Sequence, residues 1–232
     1  IEAYLTRNIS LEEAKKIAIE EYLLNYIALG LKPKKIKFYF QTNGSKGYMN
    51  FSKLVSKKTT FNELQGIYGE LTPGKIMSSF TQVADILQPE LEENGGPKPV
   101  VVPVGIDQLP HINLTRDIAG RMKSEYNFVL PSAIFTKFMN GLGGGKMSSS
   151  NPTSYIALTD SPEEAAKKIK KYAFSGGQVT IEEHRKKGGN PDIDMSFQFL
   201  KYGLEPNDKK LEEIYQDYKS GKLLSGELKA IL

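Results

Sequence analysis

Apolar residues at Leu11, Ala14, Ile17, Ala18, Leu24 and Ala28 recur at the spacing of one helical face. Ser10 and Glu13 stand ahead of them as an S-x-x-E capping box, and Gly30 followed by Pro33 supplies the stop. Residues 36–41 change the period, because their aromatic and β-branched content predicts a strand. A second capping box, Thr60 to Glu63, opens a short helix toward Tyr68, and Ser78 or Ser79 opens another through Val83 and Ile86 to Leu87. The acidic, then Gly- and Pro-rich stretch 89–99 reads as an exposed loop. It delivers 100–104, a short apolar run of the kind buried on both faces of a parallel sheet, which Gly105 ends before a helix over 109–122.

Strands alternating with helices of this length predict an α/β architecture whose sheet, at two or three strands, is incomplete. Beyond the glycines at 141–145 the pattern changes. Ser161, Pro162, Glu163 and Glu164 form a helix start, with an N-cap, a proline at the first helical position and acids in the first turn. From there to Leu232 the chain reads as helices alone. A boundary near residue 153 therefore divides an α/β part, 1–152, from a helical part, 153–232.

Composition narrows the possibilities. The 232 residues are 39% hydrophobic and 25% charged, which is ordinary for a globular chain. No apolar run reaches the ~18–20 residues of a membrane span. The absence of cysteine excludes a disulfide framework and thiolate metal sites, and two histidines, His111 and His184, exclude a multi-histidine one. The net charge of +4 lies wholly in residues 1–150, with 18 basic against 14 acidic side chains, while the remainder balances at 13 against 13. Neither part is basic enough to argue for nucleic acid from charge alone.

Two segments carry chemistry. In G-L-G-G-G-K-M-S-S-S at 141–150, glycines let backbone N–H groups approach an anion, Lys146 adds charge and the serines add donors. The spacing is not that of a P-loop, and on the segment alone a Gly/Ser linker between two domains is the explanation its position at the boundary supports. In V-G-I-D-Q at 104–108, placed where a parallel strand ends, Gly105 admits a ligand close to the backbone. Asp107 can accept from ribose hydroxyls and Gln108 can both donate and accept. Asp107 as a simple helix N-cap is the competing explanation.

Together these segments resemble the class I aminoacyl-tRNA synthetases, with a G-x-D-Q element followed by K-M-S-x-S and a helical domain. The resemblance narrows to the tryptophanyl type of archaea and eukaryotes. It rests on G-K-I at 74–76, V-G-I-D-Q at 104–108, L-T-R-D-I-A at 114–119 and K-M-S-S-S at 146–150. A-F-S-G-G at 173–177, T-I-E-E-H-R at 180–185, G-G-N at 188–190 and S-G-E-L-K at 225–229 extend it over the whole chain.

The resemblance implies a partial Rossmann-like parallel sheet followed by an all-helical anticodon-binding domain, in a cytoplasmic homodimer. It implies ATP-dependent activation of tryptophan, with Mg2+ arriving on the nucleotide, and transfer to tRNA(Trp). Lys146 and Ser148 match the catalytic loop, and Gly105, Asp107, Lys146, Met147, Ser148, Ser149 and Ser150 match the ATP site. Glu2, Gln82, Asp85 and Gln108 match tryptophan contacts. Without the family, Gln82 and Asp85 could equally face solvent. Arg185, Lys186 and Lys229 match the tRNA-facing region, although basic clusters are commonly solvated helix faces.

One family element is missing. No H-x-G-H stands anywhere in the chain, so the sequence reads as the carboxyl-terminal portion of a synthetase, expected to be inactive alone. A tyrosyl-type enzyme and a non-catalytic tRNA-binding module are the alternatives, with a generic nucleotidyltransferase behind them.

Overall fold

The computed structural model describes residues 1–148 and 151–232. The chain separates into two compact units, Ile1–Lys137 and Phe138–Leu232. This division falls ahead of the position suggested by composition, because the glycine segment packs into the second unit: Leu142 is fully buried there among Ile169, Ala173, Met195 and Phe199.

The first unit begins with α1 (Glu2–Thr6) and α2 (Leu11–Ile17), whose N-cap Ser10 accepts the Glu13 N–H at 3.1 Å. A π-helical turn carries α2 into α3 (Leu24–Ala28). The predicted helix forms, yet none of its residues is buried, and Leu24 and Leu29 are 54% and 70% exposed. Ile36 and Phe40 have extended backbone angles, and residues 36–40 belong to no regular element. They pair with no strand among the described residues, and Gln41–Asn43 winds into a 3-10 turn, so the predicted strand at 36–41 is not one.

Helices α4 (Lys46–Leu54), α5 (Phe61–Tyr68), α6 (Pro73–Leu87) and α7 (Leu109–Arg121) enclose the core of this unit, with the short α8 (Lys123–Tyr126) after them. Tyr48, Phe51, Leu64, Phe80, Val83, Leu87, Leu114 and Ile118 are buried together. The Thr60 capping box forms as the sequence predicts. Helix α6 starts earlier than expected, at Thr72, because a threonine cap followed by proline outcompetes Ser78 and Ser79, which lie buried within the helix.

After α6 the chain makes a β–α–β crossover that runs through α7 and α8. Strand β1 (Val101–Gly105) lies parallel to β2 (Ser132–Thr136), in register from Val101 opposite Ser132 to Gly105 opposite Thr136. The strand pair is less covered than the apolar run predicts: Val101 is 57% and Ile134 62% exposed. Helix α7 directs its buried residues to the helical core, which contains no strand residue.

The second unit is helical: α9 (Pro162–Tyr172), α10 (Ile181–Lys187), α11 (Met195–Phe199), α12 (Asp208–Lys219) and α13 (Ser225–Ile231). Ser161 and Glu164 form the predicted capping box at the start of α9. Phe197, Leu200, Ile214, Tyr218 and Leu228 make a second buried cluster.

Candidate active site

At the carboxyl end of β1 the chain enters a 3-10 turn, Ile106–Gln108, and Pro110 then starts α7. A relay of side chains lies across this turn. Gln82 Nε2 of α6 donates to Gln108 Oε1 at 2.9 Å, and Gln108 Nε2 donates to Asp107 Oδ2 at 3.1 Å. Asp107 caps no helix, so the N-cap explanation fails, and its carboxylate stays exposed. A Cβ at Gly105 would stand 2.5 Å from Asp107 Oδ1, so glycine is what lets the carboxylate fold back over the strand end. His111, one turn on, lies edge-on to Tyr68. Burial lowers its pKa against the attraction of Asp107, so at neutral pH it contributes no added positive charge.

A second constellation forms around Asp85. Gln41 Nε2 donates to Asp85 Oδ2 at 2.6 Å, and Tyr48 donates to Oδ1 at 2.7 Å. Gln41 Oε1 accepts the backbone N–H of Glu2 at 3.0 Å, so one amide ties α1 to α6. Burial raises the Glu2 carboxyl, with the Asp85 charge adding to it, against hydrogen bonds from Ser78 and Gln41. Asp85 is raised by burial, opposed by its hydroxyl and amide donors. Burial pushes the neighbouring Tyr39 phenol up to about 12, and the Asp85 charge and hydrogen bond add to it. Glu2, Gln41 and Asp85 stand on the wall of a cavity of about 580 Å³ whose other walls include Leu11, Phe38 and Phe40. Neither Gln82 nor Asp85 is the loose surface polar group that solvent would accept.

In the second unit the glycine segment is a built turn rather than a linker. Gly141 N–H bonds Gly145 O at 2.7 Å, Gly144 takes φ +82°, and Asn140 bridges Lys146. Leu142 N–H reaches Ser154 O at 2.8 Å, and the Ser148 N–H bonds Ser154 Oγ at 3.1 Å. Met147 packs on the buried cluster below, while the Lys146 side chain projects into solvent. Ser149 and Ser150 lie outside the described residues.

The glycine-rich and polar motifs of the helical unit converge on one buried knot. Asp194 Oδ2 accepts from Gly176 N–H at 2.9 Å and from Tyr218 at 2.7 Å, and its other oxygen caps α11. Tyr218 also meets Ser225 Oγ at 2.9 Å. His184 accepts the Gln178 N–H at Nδ1, which leaves Nε2–H to donate to Leu223 O at 3.0 Å. Arg185 is consumed by the carbonyls of Gly221 and Lys222. Lys186 is exposed, whereas Lys229 reaches the carbonyl of Lys170 on α9 at 3.3 Å. Among the described residues no contact joins Lys229 to Arg185 or Lys186, so these three basic residues do not form one cluster. Gln41, Tyr48, Asp194 and Tyr218 hold these arrangements together, and sequence reasoning did not find them. Each is distant in sequence from its partner, and no local pattern marks it.

The described residues contain no group of three or more His, Asp or Glu that could hold a metal ion and no helix long and apolar enough to cross a membrane.

A family model described as tRNA synthetases class I (W and Y) matches residues 1–232. The tryptophan–tRNA ligase of Aeropyrum pernix is 49% identical over 230 residues, spanning 99% of this chain and 62% of the relative. A crystal structure of tryptophanyl-tRNA synthetase from the same organism superimposes with a TM-score of 0.96, again over 99% of this chain and 62% of the other. A tyrosyl-tRNA synthetase of Archaeoglobus fulgidus, complexed with L-tyrosine, is 26% identical at a TM-score of 0.73, covering 99% and 71%.

Proposed function

The chain belongs to the class I tRNA synthetases of the W and Y group, and from that membership we propose that it is part of a tryptophan–tRNA ligase. The observation that carries the reading is the Gln82–Gln108–Asp107 relay at the carboxyl end of β1, which turns the V-G-I-D-Q resemblance into a geometry able to hold a polar substrate. The reaction begins with attack of the tryptophan carboxylate oxygen on the α-phosphorus of ATP. An O–P bond forms, the bond to the β-phosphate oxygen breaks, and pyrophosphate leaves. A ribose hydroxyl at the 3′ end of tRNA(Trp) then attacks the acyl carbon of the adenylate: an ester bond forms, the acyl–phosphate bond breaks, and AMP and the hydroxyl proton leave.

In this reading the exposed carboxylate of Asp107 accepts from the ribose hydroxyls, and Gly105 leaves the space for it. Gln82 and Gln108 align the amino acid, fixed against each other before substrate arrives, which lowers the ordering cost of binding. Glu2 and Asp85 form the polar end of a pocket for tryptophan. Lys146, exposed and without an acidic partner among the described residues, neutralises charge accumulating on the departing pyrophosphate, with Met147 seating its loop and Ser148 bracing it. The residues fit a metal that comes with the nucleotide: Mg2+ on ATP would spread charge over the phosphates, and no protein cage is needed. Residues 1–152 are assigned to the catalytic part and 153–232 to anticodon binding, in a homodimeric cytoplasmic enzyme.

The greater identity to the tryptophan ligases than to the tyrosyl enzyme, 49% against 26%, favours tryptophan. The chain spans 62% of the A. pernix relative, and we assign exchange activity to the chain only when the remaining part is supplied. The test is tryptophan-dependent ATP–pyrophosphate exchange, with tyrosine as control, on the chain alone and joined to the unmatched part of the A. pernix ligase. Tryptophan-specific exchange in the joined protein supports the reading. Preference for tyrosine, or no exchange in either form, overturns it.

A further inference from the structure

We propose that Met139 and Met147 are oxidation sites, at which a peroxide converts the two thioethers to sulfoxides and so unseats the turn that presents Lys146. The structural effect is independent of the tRNA-ligase reading, and only its cost to catalysis rests on that reading.

The chain has no cysteine and no tryptophan, so its six methionines are where a two-electron oxidant meets sulfur. They fall into three environments. Met122 and Met195 are 0% and 2% exposed, in the cores of their units. Met49 and Met77 are 39% and 44% exposed, on α4 and α6. Met139 and Met147 are half-buried, and both pack on the cluster of Leu142, Ile169, Ala173, Met195 and Phe199. Asn140 bridges Lys146 in antiparallel sense, so these two methionines flank the bridge as the next pair of residues outward. Between them the one other apolar side chain is Leu142, and the rest are Asn140, Lys146 and four glycines.

Glycine has no side chain to pack, so the seat of this turn on the helices depends on Leu142 within it and on the two thioethers at its base. Sulfoxidation turns a flexible apolar side chain into a polar one. The buried neighbours Leu142, Ile169, Ala173, Met195 and Phe199 carry no polar hydrogen on their side chains. An oxygen held against them lacks a partner, and withdrawing it into water abandons the contact instead. Leu142 alone then holds the turn. In the reaction an S–O bond forms as the peroxide O–O bond breaks. Sulfur gives up two electrons, one peroxide oxygen stays on it and the other leaves as water. A methionine sulfoxide reductase reverses the step, releasing the oxygen as water while two thiols close to a disulfide.

The test is hydrogen peroxide treatment of the 232-residue chain, read by peptide mapping and by amide hydrogen exchange. Oxygen is expected on Met49 and Met77 first, on Met139 and Met147 next, and on Met122 and Met195 last. As Met139 and Met147 react, protection of the Gly141 and Leu142 amides should fall roughly 5- to 100-fold, the range set by one unpaired polar group in an apolar contact. The Ile169 amide, inside α9, should stay within about threefold. The variant Met139→Leu with Met147→Leu keeps apolar packing without sulfur, so peroxide should leave its Gly141 and Leu142 amides unchanged. The variant Met49→Leu with Met77→Leu should respond as the parent does. Incubation with both epimer-specific sulfoxide reductases and dithiothreitol should restore protection in the parent. If the first variant does not fold, Met139→Leu and Met147→Leu singly must each reduce the response. Reaction of Met139 and Met147 only in step with Met122 and Met195 overturns the proposal, because oxidation then follows unfolding. Unchanged protection once both sites are oxidised, an equal fall at Ile169, or the same loss in the first variant overturns it as well. No readout uses tryptophan, ATP or tRNA, so failure here leaves the ligase reading untouched, and failure of that reading leaves the oxidation sites standing.

Discussion

Tyr48 donates its hydroxyl to Asp85 Oδ1 at 2.7 Å, with the phenol ring 1% exposed. This contact, with Gln41 on the opposite oxygen, holds a half-buried carboxylate beside a second acid, Glu2. An arrangement of that kind persists only while its donors are present.

Tyr48→Phe keeps the ring and removes one donor, so it should cost about 1–3 kcal/mol in denaturant unfolding. Gln41→Leu removes the Glu2 anchor and the second Asp85 donor together. In an exchange-competent enzyme containing this chain, it should raise KM for tryptophan while leaving KM for ATP within about twofold. A parallel rise in both would deny the cluster its place in the amino-acid pocket.

Lys146→Ala removes an exposed side chain, so the thermal midpoint should stay within the range of a surface substitution, about 0.5 kcal/mol. Pyrophosphate exchange should nevertheless fall by about 10²–10³ in kcat, the usual size of one lost electrostatic contact to a developing charge.

The glycine segment separates into glycines that are needed and glycines that are not. A Cβ at Gly141 would lie 2.6 Å from the Ser154 carbonyl oxygen, so Gly141→Ala should destabilise by about 1–3 kcal/mol. Gly143 has open space, and Gly143→Ala should be neutral within about 0.5 kcal/mol. Equal tolerance at both positions would return the segment to a linker.

Two glutamates give opposite pH signatures. Glu90 is 2% exposed, accepts the Val129 N–H at 2.6 Å and has one oxygen without a partner, and burial raises its pKa. Its contribution is complete below the ordinary glutamate range and is lost as pH rises through the raised value. Glu90→Gln should therefore gain on the parent chain as pH climbs from 4 to about 8 in thermal melts. Glu63, held by Arg121 and the Thr60 cap, is lowered to about 2. Its contribution is present above the ordinary range and fades only as pH falls through that value, so Glu63→Gln should be weaker than the parent at pH 7 and match it in strong acid.

Local signals in the sequence were accurate where a few adjacent residues decide the outcome. The Thr60 and Ser161 capping boxes, the strand before Gly105 and the G-x-D-Q turn after it all stand where spacing puts them, whereas the partner strand β2 was not read from the sequence. Failure came where the outcome depends on what lies opposite. Residues 36–40 have strand composition but no paired strand, and β1 is apolar without being covered. Among candidate site residues, Asp107 and Gln108 were legible as polar groups near a strand end, and Gln82 only through the family resemblance. Gln41 and Tyr48 were not, because they meet Asp85 only through tertiary packing. The basic run around Arg185 did not reveal that its guanidinium donates to the backbone carbonyls of Gly221 and Lys222.

Leu142 is wholly buried in the helical core, its N–H on Ser154 and its carbonyl accepting the Phe174 N–H at 2.7 Å. A loop fastened in this way cannot fray as an independent unit. The amide protons of Leu142 and Phe174 should exchange with solvent only through the opening that releases Ile169 and Met195, with one shared protection factor. The segment that presents Lys146 thus inherits the lifetime of the helices beneath it. A mutation deep in their core would shorten the residence of that lysine in its place without altering a single atom of the loop.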